Sequence, residues 1–139
     1  MASSADDWAE GNGRLICVDF DGVIHSYQHG FEGIDQANDP PVPGAFEFLD
    51  TLLQAGFRVA IYSSRSREYA GLRCMANYLH THGAGHLVHQ VSWPREKPAA
   101  WLTIDDRAVT FDGTFPSLRT IDRFRPWNRA HKKSSPLDD

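Results

Sequence analysis

Arg-Leu-Ile-Cys-Val-Asp-Phe-Asp-Gly-Val, residues 14–23, decides how the rest of the chain is interpreted. The apolar run after Arg14 predicts a strand buried on both faces of a parallel sheet, because such strands are continuously apolar rather than alternating. The run ends at Asp19 and Asp21, so these two acids are predicted to lie at the carboxyl end of the strand. Residues two apart in an extended chain project to the same side, and both carboxylates are therefore expected to face one site.

Strand and helix patterns alternate along the rest of the chain. The predicted elements are a helix from Pro43-Gly44 to Gly56, a strand over Phe57–Tyr62, a helix over Tyr69–Leu79 that Gly83 stops, strands at Leu87–Ser92, Trp101–Ile104 and Val109–Phe111, and a short helix around Ser117–Phe124. This order predicts an α/β fold in which a parallel sheet carries helices on both faces. Such sheets bind ligands just beyond the carboxyl ends of their strands.

The length and composition favour one domain. A chain of 139 residues suits a single core, predicted over residues 14–127, with flexible segments at 1–13 and 128–139. A formal net charge of −4 argues against a bulk nucleic-acid binder, and no apolar stretch is long enough to span a bilayer. The two cysteines form no disulfide framework, which predicts a reducing, cytoplasmic location.

Paired carboxylates at a strand end suggest phosphoryl chemistry. One of Asp19 and Asp21 can attack phosphorus as a nucleophile, while the other protonates the leaving oxygen and later deprotonates water. Two carboxylates alone repel an anionic phosphate, and Mg²⁺ is the cation that bridges such oxygen ligands. The alternative is that Asp-x-Asp-Gly only forms a turn, although two acids without partners beside an apolar strand are costly.

The motifs also resemble a known family. Asp19-Phe-Asp21-Gly-Val-Ile resembles the first motif of the haloacid dehalogenase-like superfamily, and Ser63, after the second strand, is similar to its second motif. Lys97 is similar to the third motif and Asp105-Asp106 to the fourth, and the resemblance covers roughly residues 15–111. It implies a Rossmann-like hydrolase domain that depends on Mg²⁺.

The resemblance gives the first motif two distinct roles. Asp19 would be the nucleophile, passing through an aspartyl-phosphate, and also a metal ligand. Asp21 would be the general acid/base and would bind the metal through its backbone carbonyl. An acid at this position favours phosphate ester hydrolysis over carbon–halogen cleavage, because an alkoxide leaves poorly without a proton whereas a halide needs none.

The other three motifs would bind phosphate and metal. The resemblance implies that Ser63 hydrogen-bonds the phosphoryl group and that Lys97 neutralises its charge. It also implies that Asp106, with or without Asp105, completes the Mg²⁺ shell. The alternatives are that Ser63 satisfies backbone groups at the strand end, that Lys97 is an ordinary surface lysine, and that the two aspartates cap a turn.

The connections between motifs leave no room for a cap domain. His25–Pro43 holds only a small flap, and Ser66–Glu96 is used up by a helix and a short strand. An open site of this kind suits a large substrate or closure by a neighbouring subunit of a homo-oligomer. His25 and His29, within the flap, follow Asp21 closely and could contact the substrate, but they are interpreted as surface histidines, which is the commoner explanation.

One further resemblance bears on the substrate. Ser63-Ser64-Arg65 and Ile104-Asp-Asp-Arg107 are similar to segments of the 3′-phosphatase domain of polynucleotide kinase, which implies phosphate contacts from Ser64 and Arg65. A nucleotide or nucleic-acid 3′-phosphate is therefore permitted as substrate, although the acidic net charge does not favour it. A non-catalytic binding protein and a phosphotransferase stay open as alternatives.

Overall fold

A computed structural model describes residues 10–129, so the predictions made for residues 1–9 and 130–139 lie outside the described residues. The strands are β1 (Leu15–Val18), β2 (Arg58–Ile61) and β3 (Leu102–Ile104), and the helices are α1 (Ala45–Gln54), α2 (Tyr69–Thr81) and α3 (Leu118–Asp122). The strands form one parallel sheet in the order β2-β1-β3, which confirms the α/β class. No helix within residues 10–129 is long and apolar enough to cross a membrane.

Both long helices pack on the same face of the sheet. Alternate residues of β1 and β2 join the core cluster, namely Ile16, Val18, Val59 and Ile61. Leu49 of α1 and Met75 of α2 belong to that same cluster. The chain crosses from β1 to β2 through α1 and then through α2 to Ser92, which bridges Ala60 on the other edge of β2. Both crossovers thus run in the same direction, and right-handed crossovers in one direction place their helices on one side of the sheet.

The two long helices therefore lie on one face, whereas the sequence predicted helices on both faces. The chain returns from Ser92, which bridges Ala60 of β2, to β3 on the far side of β1. This connection contains no helix. Pro94 and Pro98 interrupt it, and a proline inside a helix removes a hydrogen bond and clashes with the preceding turn.

Two predicted strands are also absent. Within Leu87–Ser92 only Ser92 pairs with the sheet, and Val91 N donates to Leu87 O at 3.1 Å in a helical turn. The apolar residues here are buried four positions apart, which is a helical rather than an alternating pattern. Val109–Phe111 forms no strand, and its two apolar side chains are more than half exposed.

Both ends of the described chain contact turns that follow α1 or β1. Gly11 N donates to Ala55 O at 2.6 Å, just after α1. Trp127 Nε1 donates to Gly22 O at 2.6 Å, and Asn128 Nδ2 donates to Ser26 O at 2.9 Å. The last described residues thus lie against the turn that follows β1.

Candidate active site

A cleft of about 370 Å³ lies at the carboxyl end of the sheet. Every predicted site residue except Arg65 lines it. Five further lining residues were not predicted as site residues, namely Cys17, Tyr27, Tyr62, Thr103 and Arg107. Each of these lies close to a predicted motif in the chain, in β1, in the flap, or in or just after β2 and β3, so proximity to a motif was the available signal.

Strand pairing brings the acids of the first and fourth motifs together. Val18 of β1 is in register with Ile104 of β3, and Asp19 N continues the ladder by donating to Ile104 O at 3.0 Å. The aspartates that follow both strands are therefore neighbours. One carboxylate oxygen from each of Asp19, Asp105 and Asp106 lies within 4.8 Å of the others.

These three carboxylates form a cluster that we call the aspartate triad. None of them forms an ion pair with a cation from residues 10–129. Burial and the nearby charge of Asp105 raise the pKa of Asp19 to about 8. Burial and the same neighbour also raise the pKa of Asp106. A set of hard oxygen ligands in this state fits Mg²⁺, which neutralises carboxylates and keeps sites open for phosphate oxygens.

Asp21 lines the same cleft, but its pKa is shifted in the direction opposite to that of Asp19. Its Oδ2 accepts a hydrogen bond from Arg65 Nε at 2.8 Å, and its Oδ1 accepts from His25 Nδ1 at 2.8 Å and from Arg65 Nη2 at 3.2 Å. Burial alone would raise the pKa of Asp21, but the hydrogen bonds from His25 and Arg65 and the charge of Arg65 outweigh it and hold the pKa below its usual range. The Asp21 carboxylate is thus ionised and fixed in orientation.

His25 is a buried positioning residue, so its interpretation as a surface histidine is wrong. The side chain is 1% exposed and stacks on Phe20 with ring centroids 5.5 Å apart. Its Nε2 accepts a hydrogen bond from Asp39 N at 3.1 Å, so Nδ1 carries the proton and donates to Asp21. The signal in the sequence is the spacing of four residues between Asp21 and His25 across one tight turn.

Arg65 does not occupy the phosphate-binding position predicted for it. It is 1% exposed, and Nη1 donates to Gly33 O and to Ile34 O, each at 2.9 Å, while Nε and Nη2 donate to Asp21. Sequence alone could not distinguish these uses, because a guanidinium binds a carboxylate and a phosphate with the same fork geometry. Arg65 instead connects the Asp21 carboxylate to the flap.

The position of Ser63 is compatible with both roles that the sequence left open, namely satisfying backbone groups at the strand end and donating a hydrogen bond to a phosphoryl group. Its Oγ accepts a hydrogen bond from Arg65 N at 2.9 Å and so caps the short 3₁₀ helix Ser64–Arg67. The residue also lines the cleft, where its hydroxyl hydrogen can be donated to a phosphoryl oxygen. Ser64 and Lys97 line the same cleft and are exposed.

Gly22, in the first motif, leaves the space that the Asp106 side chain of the fourth motif occupies. Its φ is +87°, and a Cβ atom there would lie 2.1 Å from Asp106 Oδ2. A side chain at this position would displace Asp106 from the aspartate triad. The glycine in Asp-x-Asp-Gly therefore allows the close approach of the two motifs as well as the turn.

Comparisons of the chain with protein-family models, with curated proteins and with solved structures give no match. The functional assignment rests on the geometry of this cleft and on the motif resemblance.

The raised pKa of Asp19 predicts a link between pH, metal and stability. In the folded chain the Asp19 carboxyl group keeps its proton up to about pH 8, whereas in the unfolded chain an ordinary aspartate loses it near pH 3.8. The unfolded state is therefore stabilised by ionisation first, and the stability of the metal-free protein should fall as the pH rises between these two values. We expect the melting temperature in chelator to fall from pH 5 to pH 8, and Mg²⁺ to raise it by about 3 °C or more at pH 8 but little at pH 5.

Asp19→Asn is the matched control in these melting experiments, because it removes the titrating charge. The variant should lose most of both the pH-dependent fall and the Mg²⁺ effect. A wild-type melting temperature at pH 8 that does not respond to Mg²⁺ would contradict a metal site at the aspartate triad.

Gly22→Ala should weaken Mg²⁺ binding by displacing Asp106. The positive φ alone costs about 1 kcal/mol for a residue with a side chain, so stability by itself does not isolate the clash. Gly83→Ala is the matched control, because Gly83 has a similar φ of +80° and nothing within 4 Å of its Cβ position. Calorimetric Mg²⁺ titration should show a loss of tenfold or more only in Gly22→Ala; equal affinities in both variants would exclude the steric coupling.

Proposed function

We propose that the protein is a Mg²⁺-dependent phosphatase that hydrolyses a phosphate monoester through an aspartyl-phosphate on Asp19. The proposal is carried by the convergence of three strand ends on one cleft, with carboxylates following β1 and β3 and hydroxyls following β2. The parallel order β2-β1-β3 also supports the proposal that this is a small haloacid dehalogenase-like domain without a cap.

The first half-reaction uses Asp19 as the nucleophile. Phe20 N donates to Asp19 Oδ1 at 2.8 Å, which leaves Oδ2 to form the bond to phosphorus. Asp21 is ionised in the free protein, so it first takes up a proton, from solvent or from the phosphate monoanion, as the substrate binds. The ester P–O bond then breaks as Asp21 gives this proton to the leaving oxygen. Bound by the aspartate triad, Mg²⁺ supplies the positive charge that neutralises the phosphoryl oxygens.

The second half-reaction reverses the proton transfer. Asp21 accepts a proton from a water molecule as that water attacks phosphorus, and the bond between phosphorus and Asp19 Oδ2 breaks to release inorganic phosphate. The low pKa of Asp21 means that it is ionised after the first half-reaction and so available to accept this proton. Ser63 donates a hydrogen bond to the phosphoryl group and Lys97 offsets its charge in both steps.

The nucleophile is tested by a direct assay. Wild-type protein should release phosphate from p-nitrophenyl phosphate with Mg²⁺ and not with chelator, and Asp19→Asn should reduce the rate by about a thousandfold or more. Asp50→Asn, which changes a carboxylate on α1 that pairs with His86, is the control and should keep wild-type activity. Activity that survives Asp19→Asn contradicts the proposed nucleophile, and silence on aryl, alkyl and nucleotide phosphates favours a non-catalytic binding protein.

The role of Asp21 is tested by the leaving group. A p-nitrophenolate departs without a proton, whereas an alkoxide needs one, so Asp21→Asn should reduce hydrolysis of an alkyl phosphate more than that of the aryl phosphate. General acid catalysis contributes about 10²–10⁴-fold, and we expect a difference of at least tenfold between the two losses in kcat. Equal losses on both substrates would mean that Asp21 acts on structure or binding and not as the proton donor.

A further inference from the structure

A second cleft adjoins the candidate active site. It has a volume of about 700 Å³ and is lined by Tyr62, Arg67, Arg95, Glu96 and Lys97. Two of these side chains, Tyr62 and Lys97, also line the first cleft, so they form the wall between the two. A molecule whose phosphoryl group lies at the aspartate triad can therefore extend past Tyr62 into the second cleft.

The charges of the two clefts are opposite. The first contains the aspartate triad, whereas the second contains three cationic side chains and one carboxylate, that of Glu96. Within residues 10–129, none of these three cations forms an ion pair. Unpaired cations that line a concave surface attract an anion.

The position of one of these cations is fixed by the backbone. Arg95 Nη2 donates to Arg67 O at 2.8 Å, which ties the guanidinium of Arg95 to the segment that carries Arg67. This bond uses one of the five N–H donors of Arg95 and leaves the rest of the fork for a ligand. Two guanidinium groups near each other suit a phosphate, which accepts paired hydrogen bonds from each.

We propose that the second cleft binds a second phosphate group of the substrate, which makes the substrate a bisphosphorylated molecule. This inference rests on the proposed phosphatase function and names its substrate class. The phosphate to be hydrolysed lies at Asp19, the second phosphate contacts Arg67 and Arg95, and the body of the molecule passes Tyr62. Nucleoside bisphosphates and sugar bisphosphates share this chemistry.

The experiment compares bisphosphates with the matching monophosphates. For the wild-type protein, kcat/KM should be about tenfold higher for a nucleoside 3′,5′-bisphosphate than for the 3′-monophosphate, or for a sugar bisphosphate than for the sugar monophosphate, mainly through KM. The pair that shows the preference identifies the source of the second phosphate. Arg67→Ala and Arg95→Ala should each reduce the preference to about twofold or less.

Arg73→Ala is the matched control for these two variants. Arg73 lies over the Tyr69 ring on α2 and lines neither cleft, so this variant should keep the wild-type preference. No preference in the wild-type protein, or a preference that both Arg67→Ala and Arg95→Ala retain, overturns the second phosphate site.

Hydrolysis of p-nitrophenyl phosphate separates the two proposals, because this substrate has no second phosphate. If it is hydrolysed and bisphosphates show no advantage, only the second phosphate site fails. If no phosphate ester is hydrolysed, the phosphatase proposal fails, and calorimetric titration then decides the second cleft. Tighter binding of the bisphosphate that Arg67→Ala abolishes supports the anion site, and equal binding of both ligands overturns it.

Discussion

Three carboxylates that strand pairing forces together are the constraint on which the rest of this site depends. Because β1 and β3 run parallel and in register, the acids that follow them meet whether or not their charges are balanced. Their mutual repulsion and burial keep a proton on Asp19 to about pH 8. The fold thus creates a local excess of negative charge, and a divalent cation is the simplest way to relieve it.

The two acids of the first motif differ because their neighbours differ. Asp19 faces other carboxylates, whereas Asp21 receives hydrogen bonds from His25 and Arg65. Environments that move two pKa values apart are how one site assigns separate roles to chemically identical groups. Arg65 contributes to this difference between the two pKa values by pairing with Asp21, and it also donates hydrogen bonds to carbonyl groups of the flap. These contacts occupy the guanidinium group that the sequence suggested would contact the substrate.

Much of this arrangement could be predicted, because it depends on local patterns. The apolar run before Asp19 and the helical spacing in α1 and α2 identify their elements, and parallel pairing then places Asp105 beside Asp19. What could not be predicted depends on tertiary context. From the sequence, His25 and Arg65 are polar residues of the kind that usually lie on the surface. They are buried here because they contact the Phe20 ring and the Asp21 carboxylate, and these contacts form only in the folded chain. No helix forms between Ser92 and β3, because this connection is short and contains Pro94 and Pro98, and the general alternation of strands and helices did not take this local feature into account.

The contact between Trp127 and Gly22 has a consequence for how the chain is made. The two residues are 105 positions apart, and β3 must insert beside a strand synthesised long before it. β1, β2 and both long helices are synthesised before β3, so one edge of β1 has no partner until β3 is available, and such distant pairings form slowly. The aspartate triad comes together only after Asp105 and Asp106 have been added, so a cation that binds it could stabilise the assembled domain but could not guide its early folding.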